Sequence, residues 1–101
     1  MFYEALWFVV VEQPESLSGR VIWLGRDGAQ IHLELDDSGD GRWSGGGHFA
    51  LVMPEFETTL AALIALGCDV EQRAEHWGAT RAFVNDPAGN RVELMEFAPP
   101  T

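Results

Sequence analysis

Positive charge and sulfur are scarce in this chain. Six Lys and Arg face sixteen Asp and Glu among 101 residues, for a formal net charge of −10. That imbalance speaks against a nucleic-acid phosphate backbone or an anionic membrane surface as partner, and its plainer meaning is solubility. A single cysteine, Cys68, leaves no intrachain disulfide and no cysteine-rich metal knuckle, and it fits a reducing cytoplasm. Long apolar runs are also lacking. Phe2 to Val11 is broken by Glu4 and has no basic residues before it, so it reads as neither a secretory signal nor a membrane span. A chain this short forms one small domain and buries a limited share of its surface, which makes a homodimer the expected state.

What is present is a chain of short strands and turns. Phe8 to Gln13 is rich in valine and stops at Pro14, so it predicts a strand. Ser16 to Gly19 is a turn, Arg20 to Leu24 a second strand, and Asp27-Gly28 a hairpin signal. From Ala29 to Leu35 the pattern alternates: Ile31, Leu33 and Leu35 face one way, Gln30, His32 and Glu34 the other. Asp36 to Gly47 is polar, glycine-rich and reads as a linker. His48 to Met53 is a strand and Pro54 suits the first position of a helix. That helix carries Phe56, Leu60, Leu63 and Ile64 at helical spacing and ends at Gly67. Asp69 to His76, Thr80 to Asn85 and Arg91 to Phe97 are strands, the last two joined by Asp86-Pro87-Ala88-Gly89.

The second half therefore reads strand, helix, strand, strand, strand. With a short helix at Phe2 to Leu6, the first half repeats that order except for its opening strand. Ala5-Leu6 before Glu12-Gln13 parallels Ala65-Leu66 before Glu71-Gln72, and Arg20-Val21-Ile22-Trp23 parallels Arg81-Ala82-Phe83-Val84. In that second register Gly28 falls on Gly89, Ile31 on Val92, His32 on Glu93 and Leu33 on Leu94. The counterpart of His48 falls before Met1. Module one thus covers residues 1–36, the linker 37–47 and module two 48–97, in an α+β domain of residues 1–101.

Alternation places side chains on faces. If the apolar sets pack under the helices, His32, His48 and Glu93 share the opposite face. Two imidazoles and a carboxylate suit a divalent Fe, Mn, Ni, Co or Zn ion, which would act on a substrate as a Lewis acid. Glu34 is then a candidate proton-transfer carboxylate. The plainer reading of each is a solvated or hydrogen-bonded strand residue, with no metal at all. Trp23 could line the same face and stack on a planar ligand, Trp43 could act as a lid from the linker, and Arg81 could bind an anionic group. A surface ion pair is the alternative for Arg81, and Trp7 and Trp77 read as core or subunit-contact residues.

On Phe2-Tyr3, Ala29-Gln30-Ile31-His32-Leu33, His48-Phe49-Ala50-Leu51, Leu66-Gly67 and the stretch from Phe83 to Leu94, the chain resembles the vicinal-oxygen-chelate superfamily. That group includes glyoxalases, bleomycin resistance proteins and extradiol dioxygenases. The resemblance covers nearly the whole chain. It implies paired βαβββ modules forming a curved mixed-sheet cup, here with the first strand of module one missing. It also implies metal-ligand roles for His48 and Glu93, and places His32 where a further ligand, usually Glu, is found. Trp7 stands where the family has a glycine after the first helix. Three explanations of the missing strand stay open: a start upstream of Met1, a second subunit that fills the gap, or a cup that has lost its metal chemistry. The implied activity is metal-dependent lyase or dioxygenase chemistry on a small molecule with vicinal oxygens. The alternative is a metal-free protein that binds an antibiotic or metabolite.

Overall fold

The computed structural model describes residues 2–13, 21–34 and 47–98. The predicted turn at Ser16 to Gly19, nearly all of the linker and Trp43 lie outside them. The described elements run α1 (Phe2–Ala5), β1 (Val9–Val11), β2 (Val21–Arg26), β3 (Ala29–Glu34), β4 (Phe49–Val52), α2 (Phe56–Ala65), β5 (Val70–His76), β6 (Ala79–Asn85) and β7 (Arg91–Met95). They form an α+β fold of two sheets, one ordered β1-β2-β3 and the other β4-β7-β6-β5. If β1, β2 and β3 are matched to β5, β6 and β7, the first sheet has the same order, without a counterpart of β4 among the described residues.

Local chemistry explains the hairpins. Asp27 and Gly28 have φ of 50° and 85°, and Arg26 pairs with Ala29 across them. Two successive positive φ values give the twist that flanking strands need. Trp77-Gly78 does the same between β5 and β6, with φ of 45° and 79°. No turn signal announced it, because tryptophan is a poor left-handed residue.

The repeat is visible in how both helices stop. Phe8 N–H donates to Tyr3 C=O and Trp7 N–H to Glu4 C=O; Cys68 N–H donates to Leu63 C=O and Gly67 N–H to Ile64 C=O. These are matching Schellman closures, each with one left-handed residue. That residue is Gly67 at φ 89° in one case and Trp7 at φ 74° in the other. Helix α2 begins at Phe56, so Pro54 lies two residues ahead of it rather than at its first position. Chain direction there is set by Met53, whose N–H is held by Met95 C=O at 2.7 Å. Phe56, Leu60 and Leu63 are buried as their spacing predicts, whereas Ile64 is 59% exposed.

Register places the core. Val92 and Leu94 on β7 and Ala82 and Val84 on β6 are fully buried, in one cluster with α2 and with Leu6, Phe8 and Leu24 of the first half. Arg26 ties the halves together. Its guanidinium donates to Leu6 C=O at 3.0 Å and Val52 C=O at 2.9 Å, and lies 5.2 Å from the Phe8 ring centroid.

Candidate functional site

Alternation on β7 turns Glu93 away from the core formed by Val92 and Leu94. Its partners in register are Phe83 on β6 and Ala50 on β4. His48, just before β4, reaches across so that its Nε2 is 3.1 Å from Glu93 Oε1. From β6, Arg81 Nε donates to Glu93 Oε2 at 2.9 Å. The Arg81 and Glu93 side chains are only 14% and 11% exposed, so little water screens this pair. The Phe83 and His48 rings meet in a T-shaped contact at a centroid distance of 5.0 Å. Two of the proposed metal ligands and one proposed ligand-binding residue therefore meet.

His32 has another engagement. It lies flat on Trp23, with centroids 4.0 Å apart and planes within 2°, and its Nε2 is 2.9 Å from Gln30 Oε1. Both rings stand on the side of the first sheet opposite Leu24 and Ile31. Among the described residues, no three His, Cys, Asp or Glu side chains gather closely enough to hold a metal. A divalent ion takes about four or more ligands, several from protein. Here it would find two donors, and an arginine already neutralising the carboxylate. The described donor set does not fit a resident divalent metal.

A cleft of about 860 Å³ opens over the apolar side of the first sheet. Leu24, Ile31 and Leu33 line it from the sheet, Phe2 from α1 and Phe49 from β4. His48 and Arg91 add polar groups to its wall, and His32 and Glu34 border it from β3 although their side chains stand on the other side of the sheet. Three residues singled out by sequence thus border one cavity, although Trp23, Arg81 and Glu93 do not line it. Arg91 went unnoticed in the sequence, where a basic residue after a turn carries no distinctive signal. A cleft of this size suits a drug-sized molecule, about 300–1,000 Å³ being usual.

The turn beside this cleft is held by several hydrogen bonds to one carboxylate. Asp86 Oδ1 accepts from the backbone N–H of Ala88 at 3.0 Å and of Asn90 at 2.7 Å, and Oδ2 accepts from Asn90 Nδ2 at 2.8 Å. The Tyr3 hydroxyl donates to the same Oδ2 at 2.6 Å. Burial, followed by this bond and the charge of Asp86, pushes the Tyr3 phenol far above its usual range.

With the site described, sequence comparison gives the family: residues 1–95 match the family model of the glyoxalase-like domain. The chain belongs to the glyoxalase-like domain family. No curated protein matches it. Solved structures share the fold of this glyoxalase-like domain at low identity. A putative glyoxalase family protein from Bacillus anthracis is 24% identical, with a TM-score of 0.79 over 94% of this chain and 77% of that one. The bleomycin resistance determinant encoded on the transposon Tn5 is 19% identical, with a TM-score of 0.67 over 94% and 82%. Lactoylglutathione lyase from Agrobacterium tumefaciens is 18% identical, with a TM-score of 0.62 over 93% and 78%. The shared fold thus spans proteins with different stated activities, so function must be argued from the site.

Proposed function

We propose that this glyoxalase-like domain is a small-molecule-binding protein that works without a resident metal, sequestering a metabolite or antibiotic. The observation that carries this reading is the cleft of about 860 Å³, apolar on its floor and edged by His48 and Arg91. Burial of an apolar ligand there removes wet surface such as that of Ile22 and Phe49, 52% and 37% exposed, at about 25 cal/mol per Å². His48, fixed by Glu93, supplies a directional polar contact. Trp23 and His32 offer a second planar surface across the sheet.

The reading includes a homodimer and a cytoplasmic setting. Strand β1 is paired only with β2 among the described residues and leaves Val9 and Val10 more than 60% exposed, so its edge can recruit a second copy. No helix of the described residues is long and apolar enough to cross a membrane. The division into modules 1–36 and 48–97 around a linker is part of the same proposal.

A second reading, a metal-dependent lyase or dioxygenase with Glu34 as proton-transfer group, is favoured by one distance. His48 Nε2 and Glu93 Oε1 are 3.1 Å apart, close to the separation of two ligands at right angles on one ion with bonds of about 2.1 Å. A thermal-shift and calorimetric screen of planar apolar compounds, run on protein treated with chelator, separates the two. The binding reading expects hits that weaken in Phe49→Ser and Leu33→Ser. Ligands that bind only after Mn, Fe, Ni, Co or Zn is restored, and metal content lost in His48→Ala and Glu93→Ala, would replace it with the enzyme reading.

A further inference from the structure

Three of the six basic residues, Arg73, Arg81 and Arg91, stand around Phe83 on the second sheet. Glu71 and Glu93 are the register partners of Phe83 on either side, Arg73 faces Arg81, and Arg91 faces Asn85. The guanidinium carbons of Arg91 and Arg73 lie 4.4 Å and 5.2 Å from the Phe83 ring centroid, within cation–π range. Arg81 is committed, with Nε on Glu93 and Nη1 on Ala74 C=O at 3.0 Å.

Arg73 and Arg91 are held differently. They share one carboxylate, that of Glu71, each through a single nitrogen at 3.3 Å. The Glu71 side chain is 55% exposed, and exposed pairs of this kind contribute only about 0–1 kcal/mol. An external carboxylate can therefore take the place of Glu71 at little cost. Arg91 belongs to this cluster and also to the wall of the cleft.

We infer that the molecule bound in the cleft is a hydrophobic monoanion, an aromatic or aliphatic carboxylate. Its body lies on Leu24, Ile31 and Leu33, and its carboxylate replaces Glu71 as the partner of Arg91, the one arginine of the cluster that lines the cleft. Arginine presents paired N–H donors that match a carboxylate in two-point contact. The net charge of −10 opposes an anion at long range, but salt screens that field beyond about 8 Å. Within the cluster three arginines face two glutamates, whereas the cleft itself is bordered by Glu4, Glu34 and Asp86, so the anion is held by direct contact with Arg91 and not by the field of the cleft. The inference rests on the cleft reading above.

Calorimetry with 2-naphthaleneacetic acid and its uncharged amide tests it on the full chain. The acid is expected to bind about tenfold or more tightly than the amide, as charge-assisted hydrogen bonds allow. Arg91→Gln should abolish the preference for the acid over the amide. Glu71→Gln, which removes the competing carboxylate, should tighten the acid several-fold. That expected gain decides the matter even if Arg91→Gln does not fold. Equal binding of acid and amide to the natural chain overturns the inference while the cleft reading stands. An acid preference untouched by Arg91→Gln, or no gain in Glu71→Gln, also overturns it. Failure of both probes to bind overturns the cleft reading and this inference together.

Discussion

Tyr3 donates its phenolic hydrogen to Asp86 over 2.6 Å, joining the second residue of α1 to the turn before β7 across 83 positions of sequence. The same carboxylate organises the turn, so the bond fixes the 86–90 loop against the first half of the fold. Tyr3→Phe should cost about 1.5–3 kcal/mol, the range for a hydrogen bond to a charged group. Urea unfolding at neutral pH measures it.

The same residue sets an alkaline limit. The Tyr3 phenol holds its proton more tightly when folded, through burial first and then its bond to Asp86. Its contribution is therefore complete below the unfolded value of about 10, and stability falls as pH rises beyond it. Tyr3 is the only tyrosine in the chain. Tyr3→Phe should remove the tyrosine part of that decline, read as a flatter stability curve between pH 9 and 11.

Trp7 occupies the left-handed closing position of α1, at φ 74°. For a residue with Cβ that conformation costs about 1–2 kcal/mol. Its indole recovers part of this through a 3.3 Å hydrogen bond to Thr59 Oγ1. Trp7→Gly and Trp7→Ala both lose the indole, but only glycine relieves the backbone. Trp7→Gly should be the more stable of the two by about 1 kcal/mol in denaturant titration. Equal stabilities would show that the backbone cost is absent.

Arg81 holds Glu93 in place through a 2.9 Å bond and, on the metal-free reading proposed above, competes with a cation for its carboxylate. Arg81→Met leaves a mostly buried carboxylate with His48 as its remaining hydrogen-bond partner, at a cost of about 3 kcal/mol. It should also let His48 and Glu93 take up Co or Ni, seen as a metal-dependent rise in melting temperature larger than that of the natural protein. No such rise would mean that the two donors are insufficient even without the arginine.

Arg26 bridges the halves through two backbone carbonyls and the face of Phe8. Lysine keeps the charge but cannot span both acceptors with a planar fork. Arg26→Lys should lower stability by about 1–2 kcal/mol, the penalty for an unsatisfied buried group. Thermal unfolding of the variant beside the natural chain tests the value.

Much of the fold was legible because its signals are local. Alternation marked β3 and β7, Asp27-Gly28 marked a hairpin, and the spacing of Phe56, Leu60 and Leu63 marked α2. At Trp7 the family resemblance marked only that a glycine is usual there; the left-handed closure itself was not legible, because tryptophan rarely adopts it. Pro54 and the Trp77-Gly78 turn were less legible, because a backbone bond to Met95 and strand pairing override the residue preference at each. The facing of His48 and Glu93 followed from strand period. Whether their neighbours were ligands or counter-ions did not, because contact across strands depends on register.

By itself, then, the sequence determined the order of strands and helices, the acidic character of the chain and the sides of each strand on which His32, His48 and Glu93 stand. These follow from side-chain period and turn chemistry, which act over a few residues. Only the tertiary structure decided that Arg81 neutralises Glu93, that His32 lies on Trp23 and that Arg91 links Phe83 to the cleft. Each of those joins residues on separate strands, where pairing register and sheet packing choose the neighbour.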